Sequence, residues 1–395
     1  MQKDNKWYQR LGTAVVWIAI LGLALPCFGS GFHYVDNQAT GANDGSSWKN
    51  AWPSIEAIEW DLVQPGDTLF ISGGKQSRVY DETLVVGQSG TAEKPLFITK
   101  GREEGHKGKV VINGNLSKSR LVVLQGRVSD LLLQNPGPRG RGVYVDESRS
   151  ITIERVRVTN SRRAGIFIEE SAHCLVRKNT IMTVDDLEEQ SDGIYSQRNA
   201  HILYEGNTII IDNGSEYGHN DGLQSYLDSD LIIRNNHIVQ RNQKRVNAQG
   251  IFCSHAAGTL RIYNNVVYAP NTFNSLIFLR VPSPCYQAHV VSNTLLGSKW
   301  GSIRVEGDPE AVIQNNIAWN YNGGTPLMYE GDTSGVKNNL FYQDPKLDQD
   351  FMPLPTSPAI DSGVLLPPSY ALDKRGVLRP IGNGFDRGAF EVSWP

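Results

Sequence analysis

The sequence predicts an all-β chain, a parallel β-helix whose coils run about 23–29 residues. One repeated phrase and two columns of residues predict it. The phrase is Ser191-Asp192-Gly193-Ile194-Tyr195-Ser196-Gln197, then Asn220-Asp221-Gly222-Leu223-Gln224-Ser225-Tyr226, then Ala248-Gln249-Gly250-Ile251-Phe252-Cys253-Ser254. Its aliphatic position extends in both directions as Val143, Ile166, Ile194, Leu223, Ile251, Ile277, Ile303 and Leu327, in steps of 23 to 29 residues. A second column, Asn179, Asn207, Asn236, Asn265, Asn293, Asn316 and Asn339, keeps the same step, with an apolar residue two places after each asparagine. An apolar period of two rich in β-branched residues indicates strand. A longer period in the twenties indicates one coil per repeat. Each coil holds at least two strands, with too little sequence left for a regular helix, and the leucine frame of leucine-rich repeats is absent. Coils then stack about 4.8 Å apart, as strands do in any sheet. Asparagine suits the bends because it tolerates left-handed backbone, and stacked copies can bond one another.

The ends are read separately. Residues 1–30 carry Lys3, Lys6 and Arg10 before an apolar run from Leu11 to Leu25, then Pro26 and the small residues Gly29 and Ser30. That pattern is expected to be a secretory signal peptide, too short for a membrane span. Its removal takes three cations and one anion, moving the formal charge from −3 to −5. Nothing in the remaining chain is basic enough for nucleic acid. Residues 31–120 are expected to form an N-terminal cap and the first coils. Within them a capping helix is expected over Pro53–Val63, with Ile55, Ile58 and Leu62 on one face. Strands are expected at Thr68–Ser72, Leu84–Val86, Leu96–Thr99 and Val110–Ile112. The clear repeats occupy 121–345. The proline-rich segment 346–395 cannot supply ladder donors at its prolines, so it is expected to wrap the last coil as a cap. Capping both ends protects open strand edges. Cys174, Cys253 and Cys285, an odd number without close spacing, argue against a disulfide framework.

The opening phrases Tyr34-Val35-Asp36, Gly41 to Trp48, Gln64 to Ile71 and Ser89 to Pro95 resemble those of secreted right-handed parallel β-helix proteins of the pectate-lyase-like superfamily. The tail, with Ser357 to Gly363, Asp373 to Gly376, Arg379-Pro380 and Asp386 to Glu391, is similar to the choice-of-anchor Q module. The resemblance implies a secreted fold that hosts polysaccharide lyases, epimerases and glycoside hydrolases. The residue sets of polygalacturonases and mannuronan epimerases are not found in register, so no family's catalytic residues carry over.

Alternation along the strands places Tyr195, Gln224, Phe252, Phe278 and Arg304 outward in one line, with Gln197, Tyr226, Ser254 and Arg280 in the next. Asp192, Asp221 and Gln249 stand two places before the aliphatic column and are read as part of the same outer face. Aromatic rings beside planar polar groups suit a sugar polymer. Tyr195, Gln197, Gln224, Gln249, Phe252, Phe278 and Arg163 are therefore the expected substrate-binding residues. Asp192 and Asp221, one coil apart, should split their pKa values and could serve as acid and base or as part of a calcium site. His219 is a titratable group beside them. His255 lies one coil on. β-Elimination from a uronate needs a neutralised carboxylate, a base at C5 and a proton donor. Arg280 or a cation, His219 or Lys244, and Tyr226 are the candidates. The acidic run containing Asp185 and Asp186 is a candidate calcium ligand set. The expected function is a secreted, monomeric, carbohydrate-active protein acting on an acidic polysaccharide as lyase or epimerase. Glycoside hydrolysis by Asp192 and Asp221, and a non-catalytic surface or adhesion module, are the alternatives.

Overall fold

A computed structural model describes residues 31–113, 121–122, 126–134, 140–161, 163–183, 191–212, 219–241, 247–281, 285–307, 309–319 and 324–393. The expected signal peptide, Asp185, Asp186 and Lys244 lie outside the described residues. Among the described residues the strands line up in three parallel sheets of twelve, ten and nine strands. One coil shows the plan. Asp192–Gln197 belongs to the nine-stranded sheet, Leu203–Glu205 to the twelve-stranded, Thr208–Ile211 to the ten-stranded, and Leu223–Tyr226 returns to the nine-stranded sheet one level on. Each level pairs in register with the next, as Ile194 with Leu223 and Leu223 with Ile251.

The aliphatic column fills the bore. Ile166, Ile194, Leu223, Ile251, Ile277 and Ile303 are wholly buried, as are Ile181, Ile209, Ile238, Val267 and Leu295 after the asparagines. The glycines of the repeated phrase have a steric cause. A Cβ on Gly142, Gly165, Gly193, Gly222 or Gly250 would sit 2.1–2.3 Å from a methyl of Val158, Ile181, Ile209, Ile238 or Val267, further along the same coil in the ten-stranded sheet, so the corner admits no side chain.

The asparagine column forms the expected ladder. From Asn179 to Asn316, each side-chain Nδ2 donates to Oδ1 of the asparagine one coil on, at 2.9–3.0 Å. It also donates to a main-chain carbonyl one coil back, as Asn236 does to Tyr204 at 3.0 Å. Every member of this buried row therefore has its partners.

Three expectations about the ends are corrected. Pro53–Val63 is not a helix but a run of three-residue turns, closed by Ile58 N–H to Ile55 O, Leu62 N–H to Glu59 O and Val63 N–H to Trp60 O, with one 3₁₀ turn at Trp60–Leu62. These turns bury Ile55, Ile58 and Val63 against the first coil and leave Leu62 half exposed, which a regular helix would not do. Leu84–Val86 is buried at its two ends without forming a strand, whereas Phe32–Val35 and Ser77–Tyr80 do form strands. The C-terminal segment does not stop at the last coil. It runs back along the corner between the ten- and twelve-stranded sheets, bonding the left-handed residues that precede the ladder asparagines. Asn338 Nδ2 donates to Ser362 O, Asn315 Nδ2 to Val364 O and Asn264 Nδ2 to Leu372 O, while Lys374 Nζ donates to Asn235 O. A wholly buried Arg379–Glu391 pair at 3.1 Å fixes the segment's own turns.

Candidate active site

The long connections of the middle coils all enter the nine-stranded sheet, from Thr183 to Asp192, from Ile211 to Leu223 and from Gln240 to Ile251. Function concentrates where connections meet a rigid scaffold, and the outer face of this sheet is the candidate. Its first line, read by register, is Tyr144, Phe167, Tyr195, Gln224, Phe252, Phe278, Arg304 and Met328. The second is Asp146, Glu169, Gln197, Tyr226, Ser254, Arg280 and Glu306. The two outward lines thus fall where alternation places them.

The rings are not bare. Phe167, Phe252 and Phe278 are only 5%, 8% and 3% exposed. Tyr144 and Phe167 stack at 5.4 Å, and Phe252 and Phe278 at 5.0 Å. Guanidinium groups lie over them. Arg141 Cζ is 4.4 Å from the Tyr144 centroid and 4.2 Å from that of Phe167. Arg304 lies 4.7 Å and Arg280 5.1 Å from Phe278. Phe252 and Phe278, expected to bind substrate, therefore do not offer open ring faces, because planar cations cover them.

Asp192 and Asp221, expected on the outer face, do not lie there. They share the face of the inward column, since two residues before an inward residue alternation again points inward. Their exposures are 1% and 0%. Asp192 Oδ1 accepts the backbone N–H of Asp221 at 2.8 Å, and Asp221 Oδ1 accepts that of Gln249 at 2.6 Å. Burial pushes both carboxyls well above the usual carboxylate range, and for Asp192 the nearby Asp221 adds to the rise.

His219 joins this pair to the surface. Its side chain is 25% exposed, and Nδ1 stands 3.5 Å from Asp221 Oδ2 without a hydrogen-bond partner. Its ring meets Phe252 edge-on at 6.0 Å. With its amide nitrogen turned toward the acids, Gln249 donates to His219 Nε2 at 3.1 Å and to Asp221 Oδ1 at 2.5 Å, and its oxygen accepts from Asn274 at 2.6 Å. Burial holds the imidazole below its ordinary pKa, against the pull of Asp192. The ring is therefore neutral at pH 7. Gln224, 7% exposed beside Phe252, leaves Oε1 unpartnered.

The ligand atoms of Asp192, His219 and Asp221 lie within 4.8 Å of one another, close enough to share a metal ion. The set does not match calcium, which takes six to eight oxygens. Here two carboxylates already hold backbone N–H groups, and the third donor is an imidazole nitrogen.

The remaining candidates are spread out. Tyr195 donates to Gln197 at 3.3 Å, and Gln197 to Glu169 at 2.5 Å. Tyr226 packs edge-on against His255 at 5.5 Å, and His255 Nδ1 bonds Ser254 at 2.8 Å. Arg280 pairs with Glu306 at 3.0 Å, and Arg163 is exposed at the entry to its coil. The structure brings together Asp192, Asp221, His219, Gln249 and Phe252, leaving Tyr226, His255 and Arg280 one line outward. Sequence reasoning missed Arg141, Glu306 and a buried acid at the next corner. Asp228, wholly buried, accepts from Asn199 N–H at 2.8 Å and Ser225 Oγ at 2.7 Å. The row Ser148, Ser171, Asn199 and Asp228 at that corner, in steps of 23, 28 and 29, was the available signal.

Residues 127–278 match the family described as the right handed beta helix region. The chain is a right-handed parallel β-helix. No curated protein matches the sequence. Among solved structures the β-helix is similar to the crystal structure of pectate lyase Pel9A, with a TM-score of 0.61 and 17% identity over 92% of this chain and 97% of that one. It is also similar to the complex of XylC with xylose, with a TM-score of 0.54 and 9% identity over 92% of this chain and 98% of that one. At these identities the likeness is one of fold.

Proposed function

We propose that this β-helix is a secreted, carbohydrate-active protein that binds an acidic, uronate-containing polysaccharide along the outer face of the nine-stranded sheet, and that it acts there as a lyase or epimerase. The observation that carries the reading is the layer of guanidinium groups over the rings. Arg141, Arg280 and Arg304 lay planar cations over faces that a neutral-sugar site would leave bare, and of the three Arg141 is the one without a carboxylate partner among the described residues, Arg280 and Arg304 sharing Glu306. Planar, forked cations match carboxylates. The two solved structures of similar fold, a pectate lyase and a protein bound to xylose, are consistent with a carbohydrate ligand.

Both lyase and epimerase chemistry begin by removing the proton at C5 of a uronate. His219 is the group suited to take it, being neutral at pH 7 and partly exposed. Asp221 and Gln249 orient the ring, so substrate has to displace the Gln249 bond to free Nε2. Tyr226 stands one line outward as a proton donor to the leaving oxygen. Hydrolysis by Asp192 and Asp221 is not favoured, because both carboxyls would need to reach the glycosidic bond and neither is exposed.

The test is a panel of polyuronates and neutral polysaccharides, followed by ultraviolet absorbance of unsaturated ends, by reducing ends and by exchange at C5 in heavy water. Turnover of a polyuronate with absorbance indicates a lyase, and exchange without cleavage an epimerase. His219→Ala should abolish either while the melting temperature holds. Binding without turnover would leave a non-catalytic module, and inactivity and lack of binding on every polyuronate would overturn the proposal.

A further inference from the structure

Resting on the acidic-glycan reading, we propose that Arg141, with Arg163 beside it, forms a subsite that selects the substrate by gripping a uronate carboxylate away from the reacting sugar. The charges on the face single out this pair. Arg280 and Arg304 both pair with Glu306. Arg198 is held by Glu170 at 2.8 Å and faces Glu169 at 3.5 Å. Glu169 is in turn occupied by Tyr144 and Gln197. Among the described residues neither Arg141 nor Arg163 has a carboxylate within ion-pair distance, and Arg141 Nε is buried without a partner. Glu169 and Asp146 act on Arg141 only at longer range, while Arg163 lies close enough to repel it.

Half-burying a guanidinium with no anion is costly unless something supplies one. The two rings hold its plane at 4.4 and 4.2 Å, and a planar group so fixed can present two parallel N–H donors to one carboxylate. Arg163 adds a second cation at the same end. Arg141 is in register with Ala164 and, one level further, with Asp192. The subsite therefore lies two coils, roughly 10 Å, from the buried acids. At that distance it binds without touching the reacting centre, which is where remote binding energy is useful.

The experiment is calorimetric titration of the full chain with a uronate oligosaccharide, its methyl ester and a sulfated neutral oligosaccharide. Wild type should bind the free acid roughly ten- to a hundredfold more tightly than the ester. Arg141→Gln should erase that difference, and Arg141→Lys should keep part of it. If wild type discriminates and Arg141→Gln discriminates equally, the subsite is refuted while the acidic-glycan reading stands. If wild type prefers the ester or the sulfated sugar, both fall. Should Arg141→Gln fail to fold, the exposed Arg163→Gln must weaken the preference for the free acid, and an unchanged preference refutes the proposal.

Discussion

The backbone N–H of Asp221 donates to the carboxylate of Asp192 at 2.8 Å, in a corner with almost no contact with solvent. Both carboxyls sit well above their ordinary pKa because they are buried. A raised folded pKa means that folding takes up protons, so this stabilisation is complete below about pH 4 and is lost as pH rises. Asp192→Asn keeps an acceptor for the Asp221 N–H and removes the titration. Its melting temperature should exceed that of wild type at pH 7 and decline less from pH 4 upward in a thermal-shift series.

Asp228 offers a sharper version. Its carboxyl is pushed up to about 6 by burial. Relative to an ordinary 3.8 this costs about 3 kcal/mol at neutral pH. The same corner one coil back already carries an asparagine, Asn199, with the same bonding role. Asp228→Asn should therefore stabilise at pH 7 by up to about 3 kcal/mol and lose that advantage near pH 4. Denaturant unfolding at the two pH values checks it.

Asn236 makes four hydrogen bonds with one amide. It accepts from the N–H and the Nδ2 of Asn207, and donates to Tyr204 O and Asn265 Oδ1. Asn236→Ala takes the acceptor from the buried Asn207 N–H and Nδ2 and a donor from Tyr204 O and Asn265 Oδ1, and should cost about 3 kcal/mol or more. Equilibrium unfolding measures it, and an effect within error of zero would remove the ladder from the account of stability.

If His219 is the base, its neutral form is the active one. Burial lowers its pKa from 6.5. The value of kcat/KM on a polyuronate should then rise with pH through a midpoint below 6.5 and be level at neutral pH. A rate still climbing above pH 7 would assign the base to another group.

The bore and its asparagine ladder were legible because each rests on one residue type at one step. Every coil must answer the same steric question there, so Ile194 and Asn236 announce themselves. The outward lines through Tyr195 and Gln197 were legible for the same reason. The acids were read on the wrong side because they were grouped with the outward lines, although a residue two places before an inward one points inward again. The structure shows that Gly193 makes room for Ile209 and that alternation continues through it. Arg141 was missed because its place is set by two rings from adjacent coils, a relation that no local spacing encodes. It shares the register column of Asp192, yet lies out over Tyr144 and Phe167.

A solenoid whose coils touch only their neighbours could unzip from either end, one level at a time. The returning C-terminal segment changes that, since a single strap is tied to Asn338, Asn315, Asn264 and Asn235 in turn. Fraying of the last coil then pulls on a tether anchored several levels away, so the rod's terminal half should melt as one cooperative block.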